Sequence, residues 1–140
     1  MYSLEELIAQ NNDISELSAA LVVLVAEPGL RSNRYVCDLV SRFYDKVWMH
    51  LMFEDKSLYL DLLQHSDPEV VSKVQDFHDS ARQIKKKFGR HVKQWCHVDQ
   101  STSEDEAAQF STQMQEVIKS IMDRVRVENE EIIPLVNTTH

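Results

Sequence analysis

Glycine and proline are scarce in this chain of 140 residues, two and three copies respectively, and with them go most of the signals that tight turns and hairpins need. No Gly-rich phosphate loop is present, and no strand is required to explain the pattern. Cysteine is nearly absent. Cys37 and Cys96 lie far apart, lack CxxC spacing and sit in helical patterns, which suits reduced thiols in a cytosolic protein and gives no support to a disulfide. Long apolar runs are missing too: Leu21 to Ala26 is far too short to span a bilayer, and the N-terminus carries no charged and hydrophobic leader pattern. The chain therefore reads as soluble and cytoplasmic, with no membrane contact. Positive charge is in deficit, the formal net charge being −8. This argues against a nucleic-acid surface, which needs a basic face to displace counterions from phosphates. The one basic cluster, Lys85, Lys86, Lys87, Arg90 and Lys93, spreads around a helix and reads as a solvated face.

What is present is helical periodicity. A first helix is expected from near Ser3, with Ser3 and Glu6 as a capping box, to Glu27, where Pro28-Gly29 stops it. The second runs from Ser32 or Asn33 to about Gln64 without a breaker. Asp67 is placed to cap a third, with Pro68 in its first turn, reaching about Cys96. Ser103 and Glu106 offer another capping box before a fourth, which ends or kinks near Pro134. Short connections between four such helices predict a single all-α domain over residues 1–140, an antiparallel up-down-up-down four-helix bundle.

The seams of these helices turn polar at particular places. Val36, Val40, Phe43, Val47, His50 and Glu54 alternate four and three apart, so His50 and Glu54 face inward along an apolar row. Phe110, Met114, Val117, Ile121, Arg124 and Glu128 repeat the beat. The first helix places Asn11 on its seam, and the third places His78 beside Val74 and Ala81. In an antiparallel bundle all six share a layer within a turn or two. An imidazole, two carboxylates and a guanidinium buried without partners would cost several kcal/mol, so the group must satisfy itself or hold an ion.

The stretch His50-Leu51-Met52-Phe53-Glu54-Asp55-Lys56-Ser57-Leu58-Tyr59-Leu60 resembles the second-helix motif of the hemerythrin-like, or HHE cation-binding, family. Arg124-Val125-Arg126-Val127-Glu128-Asn129, leading to Ile132-Ile133-Pro134, resembles its fourth-helix counterpart. The resemblance covers nearly the whole chain and implies a four-helix bundle around a non-haem di-iron centre. Carried over by position, the implied metal set is His50, Glu54, His78 and Glu128, with Asn11 and Arg124 standing where the family has histidines. Asn129 is the alternative position for the fourth-helix carboxylate. Val74 and Arg82 flank His78 at helical spacing, so its second histidine is missing as well.

Four ligands can hold at most one iron or zinc ion. A guanidinium about 5 Å from a divalent ion would oppose it by roughly 6 kcal/mol at an effective dielectric of 20 unless it swung away. Two functions follow. One is a binding or sensing protein of this family, connected by resemblance with oxygen, nitric oxide or iron. The other is a metal-free interaction or regulatory module for an unidentified protein partner, its former metal site filled by an Arg124–carboxylate network. Catalysis is not expected, since the Glu-x-x-His pairs of ferritin-like oxidases are absent from these seams. His65, His91, His97 and His140 receive no role, and the sequence gives no oligomeric state.

Overall fold

The computed structural model describes residues 4–136. The expected Ser3–Glu6 capping box, through Ser3, lies outside the described residues, as does His140. Among the described residues the helices are α1 Leu4–Ala26, α2 Arg34–Lys56, α3 Leu58–Leu62, α4 Pro68–Cys96, α5 Glu104–Val127 and α6 Ile133–Val136, with no strand. α1 packs between α2 and α5, and α4 closes the square on the other side of the same two helices. The all-α bundle expected from periodicity is the fold observed.

The helix starts follow their sequence signals because each leading turn has amide donors with no helical acceptor. Asn33 Oδ1 accepts from the amides of Tyr35 and Val36, Asp67 Oδ1 from Glu69 at 2.9 Å, and Ser103 Oγ from Glu106 at 3.1 Å. Pro68 occupies the first turn of α4, where its missing N–H costs nothing.

The long second helix does not run unbroken to Gln64. Ser57 leaves helical geometry with φ −136° and ψ −81°, and the chain restarts as α3. That break buries Leu58, Tyr59 and Leu62. It also brings the Tyr59 hydroxyl back to Glu54, although residues five apart on a continuous helix point about 140° away from one another. α5 departs from α-helical geometry well ahead of Pro134. Residues Glu128–Ile132 form a π-turn, closed by the Ile133 amide donating to the Glu128 carbonyl. Widening the turn lets the consecutive Ile132 and Ile133 both be buried.

The interior has two apolar clusters. The larger joins Ile14, Leu21 and Val25 of α1 to Val40, Phe43, Phe88, Trp95, Met114 and Ile118. The smaller joins Leu7, Leu58, Tyr59, Leu62, Val74, Ile132, Ile133 and Val136. Between them lie the buried polar side chains Asn11, His50, Glu54, Arg124 and Glu128. Each fully buried large apolar side chain contributes about 1.5–3 kcal/mol, which lets the two clusters carry a polar layer that would not hold together alone.

Cys37 and Cys96 form a disulfide joining α2 to α4, with Cα atoms 5.3 Å apart. This corrects the expectation of reduced thiols. Helical spacing along each chain segment said nothing about proximity across 59 residues, which antiparallel packing of α2 on α4 creates. The argument for a cytosolic setting from unpaired thiols goes with it. No helix is long and apolar enough to cross a membrane among the described residues.

Candidate metal centre

α2 ends as α5 ends, so His50 and Glu54 face Glu128 across the bundle axis. His50 Nε2 lies 2.7 Å from Glu54 Oε1 and 3.4 Å from Glu128 Oε1. One ligand-capable atom from each of these three buried residues lies within 4.8 Å of the other two. No other such group of three or more His, Cys, Asp or Glu occurs among the described residues. On its far side His50 Nδ1 is 2.7 Å from Gln10 Oε1. An amide oxygen there accepts an Nδ1 proton and frees the Nε2 lone pair, the tautomer that a metal-ligating histidine needs.

Three atoms in this layer are buried without a hydrogen-bond partner: His50 Nε2, Glu54 Oε1 and Asn11 Oδ1. His50 Nε2 and Glu54 Oε1 form an ion pair at 2.7 Å when the imidazole is protonated, and both lose that partner when it is neutral. Buried polar atoms are normally paired, and His50 Nε2, Glu54 Oε1 and Glu128 Oε1 lie close enough for one small cation to take the place of the proton they share. Asn11 Nδ2 supports the same corner, donating to Glu128 Oε1 at 2.9 Å and to Asn129 Oδ1 at 3.0 Å. The π-turn that begins at Glu128 brings Asn129 within that reach.

Arg124 occupies the other half of the layer. Its Nη2 donates to the Tyr59 hydroxyl at 2.8 Å and lies 3.5 Å from Glu54 Oε2, the oxygen turned away from His50. Nη1 donates to the Phe77 carbonyl and to Ser80 Oγ at 2.9 and 2.7 Å, and the guanidinium stacks 3.7 Å over the Phe77 ring. The arginine is thus moored on α4. Within the Arg124–carboxylate network expected from sequence, it pairs with Glu54 only. The Tyr59 hydroxyl completes the clamp, donating to Glu54 Oε2 at 2.8 Å.

These contacts pull the titrations apart. Burial would lower the His50 pKa, but the adjoining Glu128 and Glu54 outweigh it and raise it to about 9. Burial would likewise lift Glu54, yet Glu128, His50 and Arg124 together hold it well below the ordinary carboxylate range. Glu128 is raised by burial and by repulsion from Glu54. The Tyr59 hydroxyl is pushed strongly up by burial and by the Glu54 charge, and stays a neutral donor. Without a metal the layer is therefore the His50 and Arg124 cations facing the Glu54 carboxylate, with Glu128 holding its proton far more readily than Glu54 does.

Of the four ligands expected from sequence the fold brings His50, Glu54 and Glu128 together, with Asn11 and Arg124 as the expected neighbours. His78 is elsewhere. Its Nε2 lies 3.0 Å from Asp55 Oδ1, at the half-exposed edge between α4 and α2. The Tyr59 ring packs edge-on against it with centroids 4.6 Å apart, standing between His78 and the carboxylates. The α4 seam in fact repeats every seven residues, Val74, Ala81, Phe88, Trp95, and His78 falls to one side of that row. Gln10, Tyr59, Phe77 and Ser80 were not read as part of the site. Tyr59 alone had a signal, its place in the second-helix motif; the others are reached only across helices.

Fold and site define an antiparallel four-helix bundle whose buried polar layer converges histidine and carboxylates on one point. The hemerythrin HHE cation-binding domain matches residues 3–136, and the chain belongs to that family. No curated protein and no solved structure matches the chain.

Proposed function

We propose that the protein binds one divalent transition-metal ion, iron or zinc, through His50 Nε2, Glu54 Oε1 and Glu128 Oε1, as a binding or sensing protein related to iron, oxygen or nitric oxide. The observation that carries this reading is the convergence of three buried ligand atoms within 4.8 Å of one another, with His50 Nε2 2.7 Å from Glu54 Oε1 and 3.4 Å from Glu128 Oε1. One imidazole and two carboxylates suit Fe(II), Zn(II) or Mn(II), and such an ion would supply open positions for a small ligand. A second ion has no donors, because Arg124 fills that half of the layer.

The chain's own residues set the conditions. Gln10 orients the imidazole, Asn11 holds the Glu128 carboxylate, and Tyr59 with Arg124 fixes the outer oxygen of Glu54. The void beside His50, Arg124 and Glu128 measures about 10 Å³, room for about one water molecule. A void of that size supports the binding of a small ligand.

The metal-free alternative has its own observation: a protonated His50 and the charged Arg124 already compensate Glu54, and Glu128 is shifted toward its neutral form. Isothermal titration with Zn(II) and anaerobic Fe(II), with elemental analysis of the purified protein, separates the two. Stoichiometric binding lost in His50→Ala and retained in His78→Ala supports the metal reading. No binding to the native chain at neutral pH establishes the closed, charge-balanced layer instead.

A further inference from the structure

Four of the five clustered basic residues border one cleft. Lys85, Lys86, Arg90 and Lys93 of α4 line an opening of about 700 Å³ together with Tyr44 of α2, Gly89 and Val92. No carboxylate lines it. Among the described residues none of these four cations forms an ion pair, in a chain with a formal net charge of −8. Uncompensated cations gathered on one concave surface of an acidic protein are a focused positive potential.

The same cleft also holds a fixed neutral donor. The Trp48 indole donates to the Tyr44 hydroxyl at 2.9 Å, so the oxygen already accepts. The hydroxyl hydrogen has no acceptor among the described residues. The ring is held edge-on against Phe88 with centroids 5.0 Å apart, which fixes where that donor sits. Gly89 keeps the wall open: a Cβ there would stand 3.0 Å from the Tyr44 oxygen. Lys85 rests 4.5 Å over the Trp48 ring, its ammonium poised at the edge of the cleft.

We propose that this cleft binds a phosphoryl-type anion, with Lys86, Arg90 and Lys93 supplying charge and the Tyr44 hydroxyl a directed hydrogen bond. Arg and Lys donors plus a neutral hydroxyl match the several acceptor oxygens of a phosphate better than a single carboxylate. The acidic remainder of the surface disfavours a long polyanion, so the group belongs to a small molecule or a phosphorylated side chain. The site is independent of the metal layer.

The test follows the Trp48 indole N–H by heteronuclear NMR at low salt, with the buried Trp95 indole as internal reference. Inorganic pyrophosphate is one probe and a phosphoseryl peptide, against its unphosphorylated form, the other. Saturable shifts of the Trp48 signal with pyrophosphate place the anion as a free small molecule, and tighter binding of the phosphopeptide places it on a protein; both support the cleft. Lys86→Glu and Lys93→Glu should each weaken binding by about tenfold, and Lys87→Glu, the same charge change outside the cleft, by less than about threefold. Tyr44→Phe, which keeps the ring, should weaken it by about threefold. Equal losses in the three lysine variants, or no saturable shift with either probe, would overturn the proposal.

Discussion

The ends of α2 and α5 carry the same four-residue spacing at the same depth, His50 to Glu54 and Arg124 to Glu128, and yet they do opposite things. Both pairs bury a base one turn before a carboxylate. An imidazole can release its proton and present a lone pair; a guanidinium cannot. So the α2 side offers His50 Nε2 to the centre of the bundle, while Arg124 turns to α4 and is tied to Phe77 and Ser80. The backbone diverges as well. α2 stops two residues past Glu54 and sends Tyr59 back to it, whereas α5 continues through a π-turn that brings Asn129 to Asn11. One arm is built as a ligand, the other as a fixed counter-charge, and the difference reduces a two-sided layer to a one-ion site.

The harshest way to break this contrast is to remove the residue both arms share. Glu54→Ala strips His50 of its counter-charge and Arg124 and Tyr59 of their common acceptor, and should destabilise the protein by about 3–5 kcal/mol, read from urea melts; a loss under about 1 kcal/mol would show that the layer is not held by that carboxylate. Making the arms alike is the next largest change. Arg124→His should raise Zn(II) affinity at least about tenfold, because it replaces a repelling cation with a possible ligand. A titration unchanged from the native protein would refute the counter-charge role.

Within the α2 arm, base and acid answer protons in opposite directions. The His50 pKa is raised from 6.5 to about 9, so the folded state holds that proton more tightly than the unfolded chain. Its contribution is complete below about pH 6.5 and fades as the pH climbs through 9, an upper figure of about 3 kcal/mol. Glu54 works in the other direction: its pKa is lowered, so its contribution is present above its ordinary 4.5 and is lost as the pH falls. Metal-free melts should therefore be highest on the mildly acidic side of neutral and decline toward pH 9, and His50→Gln should flatten the alkaline limb. The smallest effect expected is that of Ser80→Ala, which removes one of the bonds mooring Arg124 and should cost about 1–2 kcal/mol without changing metal stoichiometry, checked by melts and titration together.

Much of this layer could be read before any coordinates. The four-three alternation singled out His50, Glu54, Arg124 and Glu128 as buried, and all four are. His78 shows the limit of the same method. Its seam was less regular, and a residue at the edge of a helical stripe is turned inward or outward by the neighbour that packs there, here Tyr59. The break at Ser57 and the π-turn at Glu128 had no clear local cue either. Both are backbone departures that arise where two helices must bury more surface than a straight 3.6-residue repeat can present.

The sequence by itself determined the helical class, the helix starts and the polar residues of three seams, because caps and apolar spacing are local properties of consecutive residues. Only tertiary packing decided that Cys37 meets Cys96, that Arg124 bonds to α4 and leaves the centre to His50, and that scattered lysines border one cleft. Those outcomes depend on which faces of distant helices meet and at what rotation, and spacing along a single helix carries no record of its neighbour's.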